Sequence, residues 1–418
     1  MQRFAMKRIT ILILVLLIST GCKAKIPSEP IVGPEPIVEP EPYPPNPNVP
    51  SIPFNSYIPY PSPTYKIPKP TVPKKLRVFR NIDVNFLDEK VGWALGMVAW
   101  YPWDTGSEQS LQLRFTNDGG ETWGTLPVPG FPIIDNQGAV SHIKFLNDRV
   151  GWAYNPDLYT TQDGGYSWEK VETEGEIITM VTLDDRAFAI SQQCQQVEQC
   201  DTILWVYQDG KGWYQAQTQP EFPGRDSQLV TDGKSVWLLE QELPADLVHI
   251  QVSHDNGQSW DFIPVPDQYY GTSFMLRVNP QGDLWLFGRG VGATAMMDKY
   301  LYVSTDDGES WELRAKTGII KDADTLHNLP ATGFAPDMSV VSPDHAFIAG
   351  GGWGWFIRTL DGGRTWDDFH SEENGSNRPT TDIGSVVFVD EMRGWALSQT
   401  VMYRTVDGGL TWEGIEIQ

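Results

Sequence analysis

TNDGGETW, residues 116–123, ends on a tryptophan that returns at 168, 213, 260, 311, 366 and 412, at intervals of 45, 45, 47, 51, 55 and 46 residues. Five further stretches (161–168, 253–260, 304–311, 359–366 and 405–412) keep the pattern Ser/Thr-x-Asp-x-Gly-x-Ser/Thr-Trp. The remaining one, VYQDGKGW at 206–213, retains Gly210 and Trp213 but has lost the hydroxyl and the aligned Asp. A fixed period of this length specifies a repeat architecture.

The chemistry of the motif is that of a tight turn between two short strands. Its carboxylate (Asp118, Asp163, Asp255, Asp306, Asp361 or Asp407) can accept backbone N–H groups of its own turn, and Gly supplies positive φ without a Cβ penalty. The closing ring (Trp123, Trp168, Trp260, Trp311, Trp366 or Trp412) stands at the start of the next strand, where it can fill space between neighbouring sheets. Asp-Gly-Gly has the look of a calcium loop, but one carboxylate per turn falls far short of the roughly six to eight oxygens that calcium takes. No metal and no cofactor is expected, and the six aspartates read as structural.

A second periodic signal precedes each of these turns: FLDEKVGWA (86–94), FLNDRVGWA (145–153), TLDDRAFAI (182–190), TDGKSVWLL (231–239), NPQGDLWLF (279–287), SPDHAFIAG (342–350) and FVDEMRGWA (388–396). Each pairs a polar turn with an aromatic residue, so every repeat reads strand, turn, strand, loop, strand, Asp-box turn, strand. Four short strands repeated seven times predict an all-β, seven-bladed β-propeller. The spacing puts the blades at 76–128, 129–172, 173–217, 218–265, 266–316, 317–370 and 371–418. Ring closure is open at this level: packing alone could close it, or residues 76–80 could add a strand to the last blade.

The propeller, 76–418, is preceded by two segments of other kinds. Residues 1–22 read as a lipoprotein signal peptide: a basic start with Arg3, Lys7 and Arg8, the apolar run 9–18, then Ser19-Thr20-Gly21-Cys22, with Met1 or Met6 as the start. The apolar run is too short to span a bilayer. Gly21-Cys22 resembles a lipobox, which makes Cys22 the expected lipidation site and the cell envelope, on the extracytoplasmic face of a membrane, the expected location. Residues 23–75 read as a disordered tether; 17 of the 47 residues at 27–73 are Pro, a composition that excludes helix and favours extended polyproline II. Cys194 and Cys200 remain as a disulfide candidate, permissible outside the cytoplasm, with two free thiols as the alternative. The formal charge is −23 over 418 residues, which repels phosphate backbones and argues against nucleic acid as a partner.

Loop lengths indicate where binding would occur. First-to-second and third-to-fourth strand turns share one face of a propeller, and here they are uniformly short. The long connections (97–109, 191–201, 289–298, 316–335 and 370–380) all fall on the opposite face, and elaborated loops on a rigid scaffold are where function concentrates. Four Trp outside the two periodic positions lie in second-to-third strand connections on that face, in MVAWYPWD (97–104) and GGGWGWF (350–356). Trp100, Tyr101, Trp103, Trp353 and Trp355 are therefore binding candidates, and Arg277, on an innermost strand, is placed near the central mouth. Aromatics folding back over the mouth are the structural alternative.

In its two hairpin signatures the chain resembles the photosystem II assembly-factor family of cyanobacteria and chloroplasts, a group with Asp-box (BNR) repeats and non-photosynthetic bacterial lipoprotein relatives. The matching pattern is F-x-D-x-x-x-G-W-A followed by T-x-D-G-G-x-T-W, best at 86–94 with 116–123, 145–153 with 161–168, and 388–396 with 405–412. The resemblance covers about 78–418 and implies a non-enzymatic scaffold that binds a protein partner; the photosynthetic client does not carry over from repeats. A basic patch is associated with client binding in that family, and this acidic chain departs from it. Glycan binding is the second reading and a sialidase-like glycosidase the third. The latter needs three Arg on the substrate carboxylate and a Tyr–Glu pair. Phe79-Arg80-Asn81-Ile82 lacks the Ile-Pro of the usual first motif, and Arg114, Arg358 and Arg404 sit at equivalent scaffold positions before Asp-boxes. The expectation is a tethered, monomeric binding propeller without catalytic residues.

Overall fold

A computed structural model describes residues 76–418 apart from 102–109, 128–132, 135–136, 139, 197–198, 223–225, 243–246, 267–270, 294–295, 318–328, 351–355, 369–382, 416 and 418. The described chain forms seven four-stranded antiparallel sheets, each a simple meander of consecutive strands. The blades span 76–126, 140–171, 176–215, 226–263, 273–316, 338–368 and 385–415, inside the limits drawn from the tryptophan spacing. A two-stranded ribbon, Ile133–Ile134 with Gln137–Gly138, lies in the link after blade one and has no counterpart in the repeat pattern. No helix is present among the described residues.

Each intact Asp-box is a closed hydrogen-bond circuit. In blade one the Thr116 hydroxyl donates to Asp118 (2.7 Å) and accepts from the Gly120 N–H (2.8 Å), while Asp118 accepts the Thr122 N–H (2.9 Å) and hydroxyl (2.6 Å). The Trp123 indole N–H closes the turn on the Gly120 carbonyl at 3.1 Å. The carboxylate is thus consumed by its own turn. The two turns at this end of the blade are also joined, Gly119 N–H donating to the Lys90 carbonyl at 2.9 Å, so they share a face.

The second motif is explained by packing across the blade seams. Phe86, Phe145 and Phe388 each lie flat under the aromatic of the preceding blade: Trp395 at 3.5 Å, Trp93 at 3.7 Å and Phe347 at 3.5 Å between centroids. The same phenylalanine rings fill the space over Gly92, Gly151 and Gly394, where a Cβ would collide with them. Phe and Gly therefore recur together in F-x-D-x-x-x-G-W-A because one occupies the volume the other leaves free. Trp93, Trp152, Trp237, Trp285 and Trp395 are all fully buried. The closing tryptophans are shallower; apart from Trp412 they are half-buried, which refines their reading as core.

Polar bonds cross the seams as well. Trp93 donates to the Gly164 carbonyl, Arg314 to Gly362, Arg358 to Gly408 and Trp395 to Gly119, each reaching the first glycine of the next blade's Asp-box. Arg358 is thereby scaffold, as its repeat position implied. At the other buried positions of this kind the indole N–H groups of Trp152, Trp237 and Trp285 have no hydrogen-bond partner, whether the Asp-box of the next blade is intact or decayed.

Innermost strands present an unpaired edge to the axis, and an edge N–H needs an acceptor. The preceding blade supplies one from a side chain. Asp83 accepts the Ile143 N–H, Asn85 that of Phe145, Thr179 that of Leu229, Gln228 that of Leu276, and Asp337 that of Val386, at 2.8 to 3.1 Å. The ring closes without strand exchange. Residues Leu76–Phe86 pair with Gly92–Tyr101 in their own blade, and the last blade meets the first through Asn81 N–H to the Gln399 carbonyl (2.9 Å), Asn81 Nδ2 to the Ser398 carbonyl (3.0 Å) and the Trp395–Phe86 stack.

The six aspartates set an acid limit. Hydrogen bonds from the turn hydroxyls and amides outweigh the opposing effect of desolvation at Asp118 and hold it at about 2, and the other five are also lowered. A carboxylate depressed in the folded state contributes stability above its unfolded value and loses it as pH falls through the folded value. Acid unfolding should therefore concentrate between about pH 4 and 2, with uptake of several protons per molecule. Potentiometric titration alongside circular dichroism checks this; a transition complete above pH 4.5 contradicts it.

Candidate functional site

The elaborated face contains a pocket of about 380 Å³ where blades six, seven and one meet, beside the closure seam. Its walls come from three kinds of segment. Asn81 and Ile82 belong to the innermost strand of blade one, at a bulge between Asn81 and Asp83 that breaks the register with the second strand. Ser398 and Gln399 form the tight second-to-third turn of blade seven, fixed by the Ser398 hydroxyl donating to the Val401 carbonyl at 3.0 Å. Phe334, Pro336, Ile383 and Gly384 arrive on the blade links.

The lining is apolar with a few fixed polar points. Ile383 and Leu397 are buried at the base, whereas Phe334 is 40% exposed at the rim, an unusual position for a large aromatic ring. Asn81 is fixed by its two bonds to blade seven, and its Oδ1 is buried with no partner. The Phe334 and Ala335 N–H groups both donate to the Gly350 carbonyl (2.7 and 3.1 Å), and Ala335 takes a positive φ of 44° to allow it. An apolar socket with a rigid polar edge suits one hydrophobic side chain and the backbone next to it.

Sequence-derived candidates fall around this pocket unevenly. Trp100 and Tyr101 end the second strand of blade one, paired with Arg77 and Leu76; the same strand pairs Gly96 with Asn81 in the pocket wall. Trp103, Trp353 and Trp355 lie outside the described residues, although the segment holding the last two follows directly on Gly350, the acceptor for Phe334. Cys22 and the tether also lie outside them. Arg277 is committed elsewhere: its guanidinium donates to the Met338 and Leu276 carbonyls and to Asp337 at 2.6 Å, bracing blade five against blade six.

Two of the long connections are strand over their described residues. The second and third strands of blade three extend to Gln196 and from Gln199, and in this extension Cys194 and Cys200 are register partners joined by a disulfide of 2.00 Å. In blade five the same two strands extend in this way, Gly292 pairing with Met297 after a register shift. Phe334, Pro336, Asn81, Ile383 and Gln399 were not picked out from sequence. A lone Phe in the Pro- and Gly-containing stretch PATGFAP (330–336) is the signal that could have found the first of them.

Cations on the inner strands act on one another. Lys144 on the innermost strand of blade two is pushed down by burial and by the Arg277 charge, opposed by Asp83; Arg289 is likewise lowered by burial and by Arg277. Among the described residues no group of three or more His, Cys, Asp or Glu could hold a metal ion.

No protein-family profile matches the chain, and no curated protein matches it by sequence. Solved structures do share its fold. A structure of YCF48 bound to a D1 peptide is 17% identical over 80% of this chain and 96% of that one, with a TM-score of 0.51. YCF48 from Cyanidioschyzon merolae is 15% identical over 80% and 98%, with a TM-score of 0.50. A GH74 xyloglucanase from Xanthomonas campestris aligns at 12% identity over 82% and 81%, and its TM-score of 0.36 bears on nothing further. The likeness establishes the seven-bladed propeller as the fold held in common with YCF48.

Proposed function

We propose that this propeller is a non-enzymatic binding scaffold that takes an extended peptide segment of a protein partner on its elaborated face, at the pocket between blades six, seven and one. The observation that carries this reading is the rim itself: an exposed Phe334 beside an apolar base and a fixed polar edge at Asn81 and Gln399. A structure of YCF48, which has the same fold, is described as bound to a D1 peptide, and that supports a peptide as the class of ligand. Anchoring through Cys22 would place this face outside the membrane, on a Pro-rich spacer; radiolabelled fatty acid incorporation that persists in Cys22→Ser removes that part of the reading.

The binding test is a random peptide display selection against the full chain, run beside a glycan array. Selected peptides should carry one large apolar residue. Phe334→Ala should weaken them about tenfold, the typical loss for truncating an interface anchor. Equal affinity for the Phe334→Ala protein overturns the placement, and binding to sugars alone brings the glycan reading forward.

A further inference from the structure

The third strand of blade five, Met296–Ser304, contains a buried cation that the binding reading has not used. Lys299 is 2% exposed, yet its ammonium meets three consecutive backbone carbonyls of the link between blades five and six: Pro330 at 2.8 Å, Ala331 at 3.1 Å and Thr332 at 2.9 Å. An ammonium has three N–H donors and no acceptor, so the three carbonyls use its whole capacity. Burial of a charge is unfavourable without such compensation. Desolvation lowers Lys299 to about 8, with Asp298, the charge acting on it among the described residues, opposing that.

The strand holds the link at further points. Met297 N–H donates to the Ala331 carbonyl at 2.9 Å, Met296 bridges Thr332, and the Lys299 backbone is itself bonded on both sides by Thr317. Two residues beyond Thr332 stands Phe334, the rim of the pocket. A Cβ built on Gly292, in the neighbouring hairpin strand, would be 3.7 Å from the Phe334 ring, so the ring rests close over backbone that carries no side chain.

We propose that Lys299 is a positioning residue for the partner site: its ammonium ties the link 330–332 to blade five and thereby sets Phe334 at the pocket rim. The inference rests on the peptide-binding reading for its purpose and on the geometry alone for its mechanism. Lys299→Met keeps the length and apolar stem of the side chain and removes all three donors. Pro330, Ala331 and Thr332 are only partly buried, so the carbonyls released from the ammonium can turn to water, and the effect should be local, a link without its tie and a freed rim.

The test uses the full-length protein with a fluorine-labelled phenylalanine at position 334, followed by fluorine NMR, together with amide exchange. In Lys299→Met the fluorine signal should move or broaden, and exchange at Phe334 and Ala335 should accelerate about tenfold, while Leu301 and Val303 in the blade core remain protected. Unchanged signal and exchange at 334 and 335 overturn the proposal. Should the variant lose protection throughout blade five, Lys299 is a fold residue and the proposal is equally overturned. These readouts need no ligand, so they separate from failure of the peptide reading. Where a display-selected peptide exists, Lys299→Met should weaken it as Phe334→Ala does.

Discussion

Trp395→Ala should be among the most damaging single truncations in the propeller, at about 3–5 kcal/mol. The ring is 1% exposed, lies on Phe86 with the planes 8° apart, and donates to the Gly119 carbonyl at 3.1 Å. Those contacts join the last blade to the first, together with Phe79, Val98, Met402 and Ile417 in one apolar cluster. Truncation leaves a cavity at the seam where no strand is shared. Trp237 is equally buried, but it lies between blades four and five and its indole N–H has no partner. Trp237→Ala should lose comparable free energy by denaturation while Asn81, at the closure, keeps its exchange protection; in Trp395→Ala that protection should go first. Trp395→Phe is the informative intermediate. Phe347 occupies the corresponding place in blade six and stacks on Phe388 at 3.5 Å, so a phenyl ring fits the stack, and the loss is the hydrogen bond, about 1 kcal/mol, plus the smaller volume of the ring, still well short of the alanine variant. Equal protection of Asn81 in both alanine variants would show that the seam is no more dependent on its tryptophan than an interior interface.

Asp337→Ala is expected to follow at about 3 kcal/mol, toward the lower end for breaking a buried pair because the carboxylate is 19% exposed. One oxygen takes the Arg277 guanidinium at 2.6 Å and the Met338 N–H at 2.9 Å; the other takes the Ser385 hydroxyl at 2.9 Å and the Val386 N–H at 3.0 Å. Three blades meet at this one side chain. Its removal strands Arg277 in the interior and leaves an edge N–H of blade seven unpaired. Urea denaturation measures the loss. Pairing it with Arg277→Met tests the origin: the double variant should recover part of the stability, since it no longer holds an uncompensated cation. Additive losses would assign the effect to the backbone bonds alone.

Blade number and limits were legible because turn chemistry and core aromatics repeat at the same period in one chain. Thr116, Asp118 and Trp123 interact within eight residues, so their spacing contains their geometry. The Phe and Gly of F-x-D-x-x-x-G-W-A were visible as a pattern, though the stack of Phe86 under Trp395, 309 positions away in sequence, was not. Arg277 was placed correctly on an innermost strand. Its engagement by Asp337, sixty residues on, depends on a seam that no local pattern encodes. Lys299 is an ordinary strand lysine in sequence because its three acceptors are bare carbonyls, which have no side-chain signature. The stretches at 191–201 and 289–298 read as loops because polar and small residues conceal strand pairing.

Because every sheet is a contiguous stretch of chain and, among the described residues, the last blade meets the first through side chains and a few hydrogen bonds, no sheet depends on the order in which the blades follow one another. Joining residue 415 to residue 76 by a short linker and opening the chain at the link between blades three and four would leave each sheet's pairing intact. The present seam would then become an interior interface, and the new ends would lie beside the decayed third Asp-box.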